Sequence, residues 1–141
     1  MLSSGRPALV AVLAASAFAL DTGSAVACRC EEPSAKVAFR SADSAILGEI
    51  VSAEKDGSES DGITYRIHVD ESWKEKLDSS IVVHSSATCR FEAESGKRYV
   101  IFLKRNSEGK LETAMCMGNL AENKARKVLK FLRSTKPHQR D

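Results

Sequence analysis

The stretch "ITYRIHVDESW" (Ile63–Trp73) decides the fold. Ile63, Tyr65, Ile67 and Val69 alternate with Thr64, Arg66, His68 and Asp70. A period of two sends every second side chain to one face, so this is a β-strand with one buried side. Upstream, "KDGSESDG" (Lys55–Gly62) is a polar turn, and "AILGEIVSAEK" (Ala45–Lys55) is a strand in which Gly48 marks a bulge or sharp bend. Downstream, "SIVVHSS" (Ser80–Ser86) is a third strand. "KRYVIFLKR" (Lys97–Arg105) is a fourth, apolar on both faces at its centre and therefore internal. "NSEGK" turns the chain into a fifth, "KLETAMC" (Lys110–Cys116). The period then changes. "NLAENKARKVLKFLRS" puts Ala121, Ala125, Val128, Leu129 and Leu132 on one helical stripe, with Asn119 and Glu122 spaced as a capping box. "PSAKVAFRSADSA" (Pro33–Ala45) reads as a short helix or turn that packs Phe39 inward, and residues 135–141 as a disordered tail. Five short strands with flanking helices predict a mainly β fold. The expected form is a five-stranded antiparallel OB-fold barrel with a short N-terminal and a C-terminal helix.

The chain begins with a different kind of segment. Arg6 is the one charge in the first twenty residues, and "PALVAVLAASAFAL" (Pro7–Leu20) is an apolar run of signal-peptide length. It is shorter than the roughly 20 residues of a membrane span. "SAVA" follows, with small Ala25 and Ala27 at the positions a signal peptidase reads. Residues 1–27 are therefore expected to be removed, leaving Cys28–Asp141 as one domain and Cys28 as its first residue. The leader takes away one base (Arg6) and one acid (Asp21), so the remainder keeps the net charge of +2. That balance does not point to nucleic acid. No second apolar segment follows, so no membrane contact is expected unless Cys28 is lipidated. "AVAC" (Ala25–Cys28) carries Ala25 where lipid-anchoring signals prefer Leu.

All four cysteines, Cys28, Cys30, Cys89 and Cys116, lie beyond the leader. An even count in a small exported domain predicts disulfides, and four cysteines allow three pairings. A Cys28–Cys30 bridge would close a strained ring. Each of the two is expected to reach one of Cys89 and Cys116, in either arrangement, and each bridge would stabilise the fold by about 4 kcal/mol. Isolated Cys89 and Cys116 do not have zinc-site spacing.

Enzyme signatures are poor. His68, His84 and His138 belong to no metal-binding spacing, and His68 and His84 read as exposed strand histidines. There is no Gly-rich phosphate loop, and no enzymatic activity is expected. Lys124, Arg126, Lys127, Lys130 and Arg133 make the last helix basic, a possible site for a heparin-like polyanion. The new N-terminus offers other chemistry. Its amine nitrogen and its own carbonyl oxygen can grip one metal ion in a five-membered ring. An α-amine with a pKa of about 7.7–8.0 is partly neutral near pH 7. A protease's catalytic zinc keeps a position open for such a donor.

Here the chain resembles the inhibitory domain of the tissue inhibitors of metalloproteinases, within the netrin-like module group. "CRC" (Cys28–Cys30) is similar to the family's Cys-x-Cys immediately after signal cleavage. "AFRSADSAI" (Ala38–Ile46) looks like its Ala-Phe-Cys-Asn-Ala-Asp segment, and "HSSATC" (His84–Cys89) like its Ser-Ser-Ala-Val-Cys loop. "GKRYVIF" (Gly96–Phe102) matches its Gly-Lys-x-Tyr strand, and "TAMC" (Thr113–Cys116) the region of its last inhibitory-domain cysteine. The resemblance covers nearly all of Cys28 to about Leu132, and its order and spacing carry it. It implies an OB-fold and the bridges Cys28–Cys89 and Cys30–Cys116. It also implies a secreted or periplasmic monomer without a cofactor of its own. Cys28 would chelate the zinc of a target metalloproteinase, with Arg29 and Cys30 in contact with the protease. Arg29 would enter the pocket beyond the zinc, and Ser86, Ala87 and Thr88 would touch the other side of the cleft. The alternative is a non-inhibitory netrin-like module that binds heparin or a protein. Two departures stand out: Arg40 occupies the place of a family cysteine, and Arg29 replaces a small Ser or Thr.

Overall fold

A computed structural model describes residues 28–57, 61–135 and 138–140, the last three by their backbone. The expected leader, residues 1–27, lies outside the described residues. Along the chain come α1 (Ala35–Ser41), β1 (Ser44–Lys55), β2 (Ile63–Trp73), β3 (Ser80–Ser85), β4 (Arg98–Arg105), β5 (Leu111–Glu112), β6 (Leu120–Ala121), α2 (Arg126–Ser134) and β7 (His138–Arg140). Two 3₁₀ turns, Met115–Met117 and Glu122–Lys124, flank β6.

The fold is mainly β. Five strands close a barrel in the order β1-β2-β3-β5-β4, with β4 returning to β1. The barrel is mixed rather than wholly antiparallel: β3 and β5 run parallel, pairing Val83 with Leu111 and His84 with Glu112. The reason is parity. Strand directions can alternate all round a closed ring only when the strand number is even, so five strands force one parallel seam. β6 extends the sheet beside β4, and β7 pairs with the end of β2, where the sequence predicts a tail without regular structure.

Two apolar layers explain the strand patterns. Ile46, Ile50, Tyr65, Ile67, Val69, Val83, Ile101 and Leu103 fill the barrel. Leu47, Trp73, Val100 and Phe102 point the other way, into a second core closed by Ala38 and Ala42 of the α1 region and by Leu129 and Leu132 of α2. The centre of β4 is apolar on both faces because it has the barrel interior on one side and the helices on the other. β1 passes so close to β2 at Gly48 that a Cβ there would lie 2.7 Å from Ile67 Cγ2 and from the His68 carbonyl oxygen. The β1–β2 register shifts at Leu47/Gly48.

α1 starts at Ser34, whose hydroxyl accepts from the Val37 amide at 3.3 Å. Lys74 Nζ holds its other end, donating to the carbonyls of Phe39 (2.6 Å) and Ala42 (2.5 Å). Phe39 is half-buried, edge-on to Phe131 of α2 at 5.9 Å, while Ala38 is the fully buried residue of α1. α2 begins later than the capping-box spacing predicts, with Ala125 at its N-cap and no side-chain cap. Asn119 does other work: its Oδ1 accepts from the Phe102 amide at 2.8 Å, and its Nδ2 donates to Thr113 Oγ1 (2.8 Å) and the Ala114 carbonyl (3.1 Å). A side chain committed to three partners in the sheet cannot also cap a helix.

Candidate functional site

Two disulfides gather the site. Cys28 is bonded to Cys89 (Cα–Cα 5.4 Å) and Cys30 to Cys116 (Cα–Cα 5.1 Å), the pairing that the resemblance implies. The segment Cys28–Arg29–Cys30 is thereby tied at both ends to loops that follow β3 and β5. Those loops are joined to each other, since the Met115 amide donates to the Cys89 carbonyl at 2.8 Å. Three chain regions far apart in sequence thus form one ridge.

The loop after β3 is shaped from beneath. The hydroxyl of fully buried Ser85 accepts from the Phe91 amide at 2.9 Å and closes the turn over residues 86–90. Fully buried Tyr65 donates its hydroxyl to the Phe91 carbonyl at 2.7 Å and accepts from the Ala93 amide at 3.1 Å. Burial pushes the Tyr65 phenol above its usual pKa, because an anion there would be desolvated. Cys89 itself lies in the left-handed region at φ 53°. Gly62, at φ 98°, lets the β1–β2 turn press on the same loop: a Cβ there would overlap the Ser85 carbonyl oxygen and lie 3.1 Å from Ser86 Cα.

Above this support, Ser86, Ala87 and Thr88 are exposed, with Ser86 Oγ donating to the Thr88 carbonyl at 3.3 Å. Arg29 is exposed between half-buried Cys28 and Cys30. All six expected contact residues, Cys28, Arg29, Cys30, Ser86, Ala87 and Thr88, therefore lie on the two segments joined by the Cys28–Cys89 bond. Sequence reasoning missed Met115, which is 48% exposed beside Cys116 on the same ridge. An apolar residue next to a bridging cysteine in a loop is the signal that marks it.

It also missed the role of His84. Rather than being free on the surface, His84 is half-buried with Nδ1 2.8 Å from Asp56 Oδ2, while Thr64 Oγ1 donates to Asp56 Oδ1 at 2.7 Å. This trio straps the β1–β2 turn to the strand that leads into the ridge. His68 is exposed, its Nε2 3.9 Å from Asp70 Oδ1.

Elsewhere, a cleft of about 840 Å³ opens between the start of β3 and the β4–β5 turn and includes none of the six contact residues. Of the charges that line it, Arg105 pairs with Glu75 and Lys110 with Glu108. The Glu75 hydrogen bond raises the Arg105 pKa further. On α2, Arg133 is held by Glu71 at 2.6 Å. Lys124, Arg126, Lys127 and Lys130 are exposed and have no ion-pair partner among the described residues.

Among the described residues no group of three or more His, Cys, Asp or Glu is placed to hold a metal ion, and no helix is long and apolar enough to cross a membrane. A chelate made by one residue's amine and carbonyl needs no such group. The two disulfides fit an oxidising environment. No family model matches the chain, and no curated protein matches it.

Proposed function

We propose that the chain is a secreted inhibitor of zinc metalloproteinases, a netrin-like OB-fold domain related to the tissue inhibitors of metalloproteinases. One observation carries this reading: two disulfides fix residues 28 and 30 to two mutually bonded loops, beside exposed Ser86–Thr88. The strand order supports the finer fold assignment, since a five-stranded barrel closed β1-β2-β3-β5-β4 suits an OB-fold.

The ridge supports the mechanism that the resemblance implies. Cleavage after Ala27 frees the Cys28 amine. That nitrogen and the Cys28 carbonyl oxygen take the open position of the target's zinc, while Arg29 enters the adjoining pocket and Ser86–Thr88 line the far side of the cleft. The bridges hold these groups in place before binding, so little ordering entropy is lost on association. The same geometry bears on a lipid anchor. A thioether-linked lipid needs Cys28 Sγ, the atom that bonds Cys89, so the anchor and the bridge exclude each other.

A second reading has its own observation, the exposed cations of Lys124, Arg126, Lys127 and Lys130, which have no ion-pair partner among the described residues. It makes the chain a polyanion-binding module without inhibitory action. The deciding experiment is mass spectrometry of the exported protein's N-terminus, followed by titration against a panel of zinc and serine endopeptidases. An N-terminus at Cys28 and inhibition confined to zinc enzymes support the inhibitor. No inhibition of any zinc enzyme, with salt-sensitive retention on heparin, supports the module.

A further inference from the structure

We infer that the partner pocket that receives Arg29 is lined by carboxylates, so that the target is a zinc endopeptidase that cuts before arginine or lysine. This inference rests on the inhibitor reading and narrows it.

Burial over residues 28–30 runs half-buried, exposed, half-buried. Both flanking side chains are turned into the body of the protein by their disulfides. Arg29 is exposed between them, so it is the side chain turned outward. Any partner that reaches the Cys28 backbone meets this guanidinium first.

Among the described residues Arg29 has no ion-pair partner. Arg90, Arg98, Arg105 and Arg133 each pair with an acid of this protein, whereas Arg40, Arg66 and Arg126, like Arg29, have no ion pair among the described residues. Arg29 pairs with none of the described residues, although Glu31 and Glu32 are exposed two and three positions on. The facing segment, Ser86–Ala87–Thr88, is neutral. The ridge therefore presents an exposed cation across from an uncharged Ser86–Thr88 segment.

An apolar pocket would have to strip water from that guanidinium and offer nothing in return, which is strongly unfavourable. A carboxylate pocket matches it, because the planar fork donates two parallel hydrogen bonds to one carboxylate. Pocket chemistry is also visible from outside. A protease with acids at this position prefers a basic residue immediately after the cut bond.

The test uses the mature protein and its Arg29→Met and Arg29→Lys forms, each checked for intact bridges by non-reducing peptide mapping. They are titrated against one zinc endopeptidase that cuts before lysine or arginine and one that cuts before leucine or phenylalanine. Wild type should inhibit the first more tightly. Arg29→Met should lose roughly 30-fold or more there, the scale of removing one partner of a buried charge pair, and should gain on the second enzyme. Arg29→Lys should fall between, keeping the charge and losing the fork. If wild type inhibits the apolar-cutting enzyme as tightly, and Arg29→Met stays within about threefold of wild type on both, the inhibitor reading stands and the acidic-pocket inference is overturned. If no form inhibits either enzyme or any other zinc protease, both fall together.

Discussion

Replacing Cys30 and Cys116 together by alanine removes the bridge that spans 86 positions of sequence. The chain-entropy model puts the lost restraint on the unfolded chain at about 4.6 kcal/mol for a loop of that length. The corresponding figure for Cys28 and Cys89, 61 positions apart, is about 4.3 kcal/mol. Against the 5–15 kcal/mol typical of a folded domain, each is a large fraction. Removing both pairs should cost less than the sum, because the two loops overlap over residues 30–89 and restrain much of the same chain. The assay is urea unfolding of wild type, the two double-alanine forms and the four-alanine form. The midpoints should fall in each double-alanine form, by similar amounts, while the barrel signal survives in the folded baseline. A loss below about 1 kcal/mol for Cys30/Cys116 would refute the reasoning. It would mean that noncovalent contacts such as Met115 N–H to the Cys89 carbonyl already hold the ridge, and that the bridge does not confine residues 28–30.

Tyr65→Phe should destabilise the domain by about 1–3 kcal/mol at pH 7, because the Phe91 carbonyl and Ala93 amide lose their hydroxyl partner. The folded phenol titrates above its ordinary value. Wild type should therefore hold its stability below about pH 10 and lose it as pH rises through the folded pKa, since the unfolded chain gives up the proton first. Thermal midpoints from pH 8 to 11 should show this decline in wild type and a flatter profile in Tyr65→Phe; parallel profiles would count against it. Gly62→Ala should lower the midpoint in the same assay and weaken inhibition, because the new Cβ at φ 98° drives into the Ser85 carbonyl beneath the ridge. Wild-type behaviour of that variant would show that the β1–β2 turn yields without moving the loop. Lys127→Glu with Lys130→Glu should abolish any low-salt retention on heparin and leave protease inhibition unchanged, since α2 contributes none of the ridge residues. Retention that survives the pair would clear α2 of that role.

The strand Ile63–Trp73 was legible because its interior face meets the barrel core and its other face carries polar groups. The double-sided apolar run of β4 announced an internal strand, yet the sequence does not say that its second face is covered by helices rather than another sheet. Local pattern also says nothing of the parallel β3–β5 seam, which follows from counting strands in a closed ring. The capping-box spacing does not locate the start of α2, because Asn119 is a cap-type residue but spends its hydrogen bonds on Phe102, Thr113 and Ala114, contacts that depend on tertiary approach. Arithmetic left the cysteine pairing open, and motif resemblance supplied it. The supports of the ridge were hidden for one common reason. Tyr65 to Phe91, His84 to Asp56 and Gly62 to Ser85 are 26, 28 and 23 positions apart, and only the sheet register brings them together.

The central claim is that the freed backbone of Cys28 binds the target's zinc. Adding one alanine before Cys28 tests it most directly. The extra residue moves the amine about 3.6 Å along the chain, whereas zinc–nitrogen bonds require about 2.0–2.1 Å. Both disulfides and the barrel should be untouched, which non-reducing peptide mapping and the urea midpoint verify. The measurement is the inhibition constant of the two forms against one zinc endopeptidase that wild type inhibits. Chelation predicts that the extended form loses inhibition while its stability equals that of wild type. Equal inhibition by the two forms would contradict it.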